Sequence, residues 1–200
     1  MLKVYGDMLS GNCYKVKLLL EFLQIEHQWL HLDILKGETR STVFLKKNSN
    51  GKIPLLEISE GQYLSESNAI LSYLAEDTDF IPEDKLQRAR VLQWLFFEQY
   101  SHEPFIAVAR YISLYLGLPE NRLEEYKSKH DGGHKALAQM EAQLKTNNFL
   151  VGNSITIADI ALYAYSHVAD EGGFDLEKYP AIQAWFKRIE NQAGYIKMAR

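Results

Sequence analysis

The stretch Tyr5-Gly6-Asp7-Met8-Leu9-Ser10-Gly11-Asn12-Cys13-Tyr14-Lys15-Val16 decides how the first part of the chain folds. It runs from a short apolar strand into a loop of small residues, and the loop opens a helix. Apolar residues then recur at i, i+3, i+4 and i+7, the spacing of one helical face, at Val16, Leu19, Leu20 and Leu23. The loop therefore brings Ser10, Asn12 and Cys13 to a helix N-terminus, where backbone N–H groups that lack intrahelical partners favour an anion.

Working outward from this loop, the sequence predicts a parallel βαβ unit. Residues 2–5 read as the first strand. Residues 28–34 read as the second, because apolar side chains alternate along them. A strand, a crossover helix and another strand are typical of a parallel pair.

A second unit of two strands and a helix follows. Pro54 has no N–H to give to a ladder, so it belongs at the start or edge of the strand over residues 55–58. A hairpin turn at Gly61-Gln62 leads to the next strand. Ser65 or Ser67 is a suitable cap for the helix after it, and Glu66 suits the positive end of the helix dipole. Residues 1–77 thus read as βαβ followed by ββα.

The pattern changes after the polar, proline-bearing connector over residues 77–84. From residue 84 to residue 200 the sequence predicts helices only, with Pro104 interrupting the long helical pattern of residues 86–116. Thr156-Ile157-Ala158-Asp159 has the spacing of a capping box, so Asp159 is expected to be structural, at about 1 kcal/mol of helix stability.

Composition and charge narrow the classes of protein. The formal net charge of −4 argues against a general nucleic-acid binder, which needs a basic stripe. A single cysteine excludes an internal disulfide framework and fits a reducing compartment. No apolar run approaches the length of a membrane span or a signal h-region. We therefore expect a cytoplasmic protein that binds neither membrane nor nucleic acid.

Four features together resemble the cytosolic glutathione transferase family, in particular its bacterial, serine-type members. They are the Ser10–Val16 loop, the turn Gly51-Lys52-Ile53-Pro54, the pair Glu66-Ser67 and the box Thr156–Asp159. Each is weak alone, but they occur in the family's order and spacing along essentially the whole chain. The resemblance implies a thioredoxin-like α/β domain over residues 1–77 that binds glutathione. It also implies an all-α helical-bundle domain over residues 84–200 that contributes the electrophile site and the contacts of a homodimer.

The resemblance also implies roles for residues of the opening loop. Ser10 occupies the place of the hydroxyl that donates to the glutathione sulfur, and Asn12 is the second candidate for that role. Either side chain could instead only cap the helix. Cys13 holds the second position of a Cys-x-x-Cys spacing whose first position is Ser10, so dithiol exchange by the protein alone is not expected.

The glutathione site implied by the resemblance has six further residues: Lys36, Lys52, Ile53, Pro54, Glu66 and Ser67. Glu66 would meet the γ-glutamyl ammonium, and Ser67, at a helix start, its carboxylate. Ile53 would pair with the cysteinyl part through its backbone, before a cis bond to Pro54. The two lysines are candidates for the glycyl carboxylate.

The site for a small hydrophobic electrophile is less readable. Its candidates are Met8, Leu9, Tyr100, Phe105, Tyr111 and Tyr165. An aromatic stripe at helical spacing is more often core than pocket. His130 and His134 lie four apart, as a zinc pair would, but no cysteine is near, so we expect no metal and no permanently bound cofactor, only glutathione as co-substrate.

Three functions remain open on the sequence. The first is a transferase, in which the glutathione thiolate attacks the electrophile. The second is a glutathione-dependent reductase of disulfides or peroxides that uses the same site. The third is a non-catalytic interaction protein with the same fold.

Overall fold

The computed structural model describes residues 1–199 and divides the chain into two compact units. One unit contains residues 1–77 together with residues 193–199, and the other contains residues 78–192. The boundary after residue 77 lies in the polar connector.

The N-terminal unit has the predicted thioredoxin-like order, βαβ followed by ββα. Its elements are β1 (Leu2–Gly6), α1 (Gly11–Phe22), β2 (His27–His31), the short α2 (Thr42–Leu45), β3 (Leu55–Ser59), β4 (Gln62–Ser65) and α3 (Ser67–Leu74). The sheet order is β2-β1-β3-β4. β1 pairs with β2 in parallel and with β3 antiparallel, and β3 pairs with β4 antiparallel.

Helix α1 is buried more completely than its apolar spacing predicts. Val16, Leu19 and Leu20 are fully buried as expected, and Leu18 is fully buried as well, whereas Leu23 is only half-buried because α1 ends at Phe22 and Leu23 is its C-cap. The helix packs against α3. At the end of β1, Gly6 leaves no room for a side chain because the Trp29 ring and the Cys13 Sγ lie against it. This close approach sets the start of α1 directly against the sheet.

The C-terminal residues 193–199 return to the N-terminal unit, although the sequence assigns everything after residue 84 to the helical domain. The Tyr14 hydroxyl, on the first turn of α1, donates to the Ile196 carbonyl over 2.7 Å. Met198 is buried. Apolar burial and this hydrogen bond are the physical reason for the difference, and neither has a local sequence signal.

The second unit is helical, as predicted. Its longer elements are α4 (Lys85–Phe97), α5 (Glu103–Arg110), α6 (Leu123–Leu144), α7 (Ile157–Ser166) and α8 (Pro180–Glu190). The interruption predicted at Pro104 is a π-helical turn, Glu98–His102, after which α5 begins with the proline in its first turn. That position tolerates a proline because its N–H would have no intrahelical partner. No helix within residues 1–199 is both long and apolar enough to cross a membrane.

The predicted capping box at the start of α7 is present. Asp159 is fully buried and accepts from the Thr156 N–H over 2.9 Å. It also accepts from the Leu150 N–H over 2.8 Å and from the Trp185 Nε1–H over 2.9 Å. The carboxylate therefore joins α7 to α8 and to the preceding loop, which is a larger structural role than a cap alone.

Candidate active site

The loop between β1 and α1 is held by Asp7 and ends at Ser10. The Leu9 N–H donates to Asp7 Oδ1 over 2.9 Å, and the Ser10 N–H donates to the Asp7 carbonyl over 3.1 Å. Ser10 is the N-cap of α1, and its Oγ accepts from the Cys13 N–H over 3.4 Å. That distance is long for a hydrogen bond, so the cap is weak. The first turn of α1 carries no acidic residue.

Cys13 lacks the exposure and the low pKa of a nucleophilic cysteine. Its thiol is fully buried, and burial raises its pKa to about 12, although the Ser10 hydroxyl and the Asp7 backbone act in the opposite direction. The thiolate is the reactive form of cysteine. Cys13 therefore stays protonated and inert near neutral pH, in keeping with the expectation that it does no dithiol chemistry.

Asn12, Lys15 and Ser67 form a hydrogen-bonded cluster that joins the starts of α1 and α3. The Lys15 ammonium donates to Asn12 Oδ1 over 2.7 Å and to Ser67 Oγ over 3.3 Å. The Ser67 hydroxyl donates to Asn12 Oδ1 over 3.1 Å. Lys15 is fully buried and Ser67 is 5% exposed. Two residues expected in the site, Asn12 and Ser67, are thus in direct contact, 55 positions apart in sequence.

Lys15 is the site residue that the sequence analysis missed. Lysines are almost never fully buried unless they are paired. One signal was available, since Lys15 shares a helical face with Leu18 and Leu19, three and four residues on, and both are fully buried. The partner of Lys15 at the start of α3, Ser67, could not be predicted from the neighbouring sequence.

Glu66 adopts a strained backbone at the start of α3. Its φ is 69° and its ψ is 113°, outside the regions that a residue with a side chain prefers. The expectation that Ser65 or Ser67 caps α3 is wrong. Glu66 is the N-cap, and the Ser67 hydroxyl is engaged with Asn12 instead. Glu66 is exposed. Strain of this kind persists where the surroundings impose it, and it clusters at binding sites.

The remaining glutathione candidates lie in the loops before and after α2. The Ile53–Pro54 bond is cis, as the resemblance implies. Pro54 is buried directly before β3, and Ile53 is half-buried. Lys52 is exposed. Lys36 is also exposed and pairs with Asp33 over 3.1 Å, where the ammonium holds the pKa of the Asp33 carboxyl below its usual range.

The electrophile candidates differ widely in exposure. In the N-terminal unit, Met8 is exposed and Leu9 is half-buried. In the helical unit, Tyr100 and Tyr111 are exposed, while Phe105 packs where Gly132 leaves room for its ring. Tyr165 is buried within α7. Its burial is typical of a core residue. Among residues 1–199, no group of three or more His, Cys, Asp or Glu side chains is placed to hold a metal ion.

Comparison with known families matches both parts of the chain. The model described as "Glutathione S-transferase, N-terminal domain" matches residues 1–76, and "Glutathione S-transferase, C-terminal domain" matches residues 105–193. A solved structure of a glutathione S-transferase from Pseudomonas fluorescens is 57% identical, with a TM-score of 0.97, and the match covers 100% of this chain and 99% of that one.

Two curated relatives are similar over nearly the same span. Glutathione S-transferase 2 of Anopheles gambiae is 32% identical over 192 residues, which is 93% of this chain and 88% of that protein. Disulfide-bond oxidoreductase YfcG of Escherichia coli is 29% identical over 193 residues, which is 92% of this chain and 87% of that protein. The chain belongs to the glutathione S-transferase family.

Proposed function

We propose that the protein is a glutathione transferase in which Ser10 stabilises the thiolate of bound glutathione. The observation that carries this proposal is the start of α1, where a serine hydroxyl caps the helix and the first turn holds no acidic residue. A helix N-terminus favours a negative charge, and the first turn of α1 supplies none, since the Asp7 carboxylate lies in the preceding loop and accepts from the Leu9 N–H there. A sulfur anion bound beside Ser10 would accept a hydrogen bond from the hydroxyl and would also be stabilised by the helix dipole.

The required stabilisation is modest. A thiol with a pKa near 8.5 is only about 3% ionised at pH 7, and the thiolate is the nucleophile. Lowering that pKa by about two units takes about 2.7 kcal/mol. One hydrogen bond to a charged acceptor contributes about 1.5–3 kcal/mol and a helix N-terminus about 0.3–1 kcal/mol. Ser10 and α1 are therefore sufficient for most of the shift.

With an aromatic halide as electrophile, the thiolate forms a carbon–sulfur bond and the halide leaves as an anion. The thiol proton goes to solvent before the attack. The protein needs no oxidant, metal or permanently bound cofactor for this step. Its contribution is to hold the sulfur ionised and in place.

The rest of the peptide would lie along the loops of the N-terminal unit. Glu66 is exposed at its strained backbone position and would meet the γ-glutamyl ammonium. Ser67, at the α3 start, would meet the neighbouring carboxylate, since its N–H points out of a helix N-terminus. Ile53, beside the cis bond, would pair through its backbone with the cysteinyl residue. Lys36 and Lys52 are exposed cations for the glycyl carboxylate.

Met8 and Leu9 are the residues of the N-terminal unit that we assign to the hydrophobic electrophile. The candidates in the helical unit are Tyr100, Phe105, Tyr111 and Tyr165.

We also propose a homodimer. Leu92 and Phe96 lie four residues apart on α4 and are 49% and 69% exposed. Two large apolar side chains exposed one turn apart on the same helix support this proposal, because contiguous exposed apolar surface marks interaction sites. The single cysteine fits a reducing, cytoplasmic compartment, and the proposed attack on electrophiles implies a detoxifying role there.

Retention on immobilised glutathione and turnover of an aromatic halide test the proposal. We expect both, with a bound thiol pKa about two units below that of free glutathione, measured by ultraviolet absorbance of the thiolate against pH. A protein that is folded but not retained would contradict the transferase and favour a non-catalytic interaction protein with this fold.

The similarity to a disulfide-bond oxidoreductase favours one second candidate, a glutathione-dependent disulfide reductase. In that reaction two glutathione molecules reduce one disulfide to two thiols and become glutathione disulfide. Cys13 is too deeply buried to take part. Assaying a small disulfide and an aromatic halide with the same preparation separates the two activities.

A further inference from the structure

We propose that Lys15 is the positioning residue of the site: its buried ammonium orients the Asn12 amide toward the bound sulfur and locks the starts of α1 and α3 together. The inference rests on the proposed function, because it concerns the same glutathione sulfur. Lys15 is not among the site residues expected from the sequence, and the role of its ammonium in orienting Asn12 is additional to theirs.

The first step is the orientation of the Asn12 amide. An ammonium only donates hydrogen bonds, so the Asn12 atom 2.7 Å from Lys15 Nζ must be the carbonyl oxygen. The Ser67 hydroxyl donates to the same oxygen over 3.1 Å. With its oxygen occupied by two donors, the amide presents its NH₂ group in a different direction from Lys15. That group is the part of Asn12 able to donate to a thiolate.

The second step is the placement of charge. Lys15 is fully buried, and its ammonium contacts one side chain from α1 and one from α3. The N-termini of both helices already favour negative charge. The Lys15 cation, in contact with a side chain at each start, adds to that field where water screens little, and the Asp7 carboxylate, which acts on the neighbouring Cys13 thiol with the opposite sign, reduces it. The cluster therefore favours an anionic sulfur beside α1 and an anionic carboxylate beside α3 at once.

The third step is rigidity. Breaking either contact would remove a charge-assisted hydrogen bond from a buried ammonium, which costs more than losing a bond between neutral groups. Asn12 and Ser67 are consequently held in one arrangement before any ligand arrives. Preorganised donors of this kind need no rearrangement when charge develops on the substrate.

The principal test replaces Lys15 with methionine, which has a similar length but no charge and no donors. Lys15→Met should raise the pKa of the bound glutathione thiol by about one unit, which is the effect expected of a displaced donor and a lost nearby cation. It should also raise KM for glutathione severalfold. Lys17→Met is the matched control, since Lys17 lies two residues on in α1, pairs with Glu21 over 3.3 Å and should change neither quantity.

A mutant cycle separates positioning from a merely structural role. In Asn12→Ala the donor is already absent, so adding Lys15→Met should shift the thiol pKa only by the part that the lost charge contributes, which is less than its shift in the wild type. Full additivity of the two shifts would overturn the proposal, and so would a Lys15→Met variant whose bound thiol pKa is unchanged while only its thermal stability falls.

Asn12→Asp keeps the proposal testable if Lys15→Met does not fold. Aspartate retains the oxygen that accepts from Lys15 and Ser67 but has no NH₂ group. We expect a folded protein whose bound thiol pKa rises at least as much as in Asn12→Ala. An unchanged thiol pKa in Asn12→Asp would overturn the proposal. A wild-type protein that binds no glutathione would instead overturn the proposed function and, with it, this extension.

Discussion

Two helices of this protein start with the same spacing and use it in opposite ways. α7 starts at Thr156-Ile157-Ala158-Asp159, and α1 starts at Ser10-Gly11-Asn12-Cys13. In α7 the fourth residue is a buried carboxylate that accepts from the cap residue's own N–H over 2.9 Å. In α1 the fourth residue is a buried thiol that stays protonated, because burial raises its pKa to about 12.

The difference shows how one local motif can be structural in one place and functional in another. At α7 the chain's own anion occupies the positive end of the helix, so nothing else is needed there. At α1 that end has a hydroxyl and an amide but no anion of its own in the first turn. The proposed site is therefore a capping box with its acid left out, and an external thiolate takes the acid's place.

The largest effect on stability should come from removing the Asp159 carboxylate, which occupies the N-terminus of α7. Asp159→Ala leaves four buried donors without their acceptor, namely the N–H groups of Leu150 and Thr156, the Thr156 hydroxyl and the Nε1–H of Trp185. The hydroxyl can rotate, but each of the three N–H groups costs at least about 1 kcal/mol, so we expect a loss of about 3 kcal/mol or more. Urea unfolding measures it. Asp84→Ala, which removes the exposed cap of α4, should cost only about 1 kcal/mol, and equal losses would contradict this account.

At the N-terminus of α1, where the first turn holds no acidic residue, a substitution should change activity more than stability. Ser10→Ala should raise the pKa of the bound glutathione thiol by up to about two units, equivalent to about 2.7 kcal/mol, and slow conjugation at neutral pH accordingly. Because the cap bond is long, at 3.4 Å, the loss of unfolding free energy should stay within about 1 kcal/mol.

Ser41→Ala is the matched control for Ser10. Ser41 caps α2 in the same unit and accepts from the Phe44 N–H over 3.3 Å. It should lose similar stability without any change in the bound thiol. If both variants conjugate equally well, Ser10 is only a cap and Asn12 becomes the leading donor.

Features that depend on local spacing could be predicted from the sequence. The apolar face of α1, the strand after Pro54 and the box at Thr156 each involve residues within a few positions of one another. The order βαβ–ββα followed by helices is confirmed. The cap of α3 was predicted incorrectly, because Ser67 has all the local properties of a capping residue.

What could not be predicted depends on distant partners. Ser67 does not cap α3 because its hydroxyl accepts from Lys15 and donates to Asn12, which lie 52 and 55 residues away in sequence. The helical face that Lys15 shares with Leu18 and Leu19 indicates its burial, but not the partner that makes the burial possible. Residues 193–199 carry no periodicity that would return them to α1 rather than continue the helical unit. Asp159 was recognised as a cap, but its bond to Trp185 made it more important than a cap.

Cys13→Ala should test the difference between α1 and α7, with a smaller loss of unfolding free energy than Asp159→Ala. We expect a loss of about 1 kcal/mol, since the buried sulfur packs against Gly6 and leaves a small void, while conjugation stays unchanged. In the native wild type, an alkylating reagent should not modify Cys13 between pH 7 and pH 9, because a thiol with a pKa of about 12 has little thiolate there. Rapid native alkylation, or loss of turnover in Cys13→Ala, would contradict the inert role.

The smallest loss of unfolding free energy should come from removing the hydrogen bond between Tyr14, in the same helical turn, and residues 193–199. Tyr14 lies next to Cys13 and is buried, and its hydroxyl donates to the Ile196 carbonyl over 2.7 Å. Tyr14→Phe keeps the ring and removes that bond, so we expect a loss of about 0.5 kcal/mol. Proteolysis within residues 193–199 should be faster. Tyr73→Phe, at an exposed tyrosine of α3, is the control and should change nothing. If Tyr14→Phe also raised the bound thiol pKa, then residues 193–199 would support the open helix start itself. An unchanged thiol pKa would confine that support to the residues between Ser10 and Lys15 and their partner on α3.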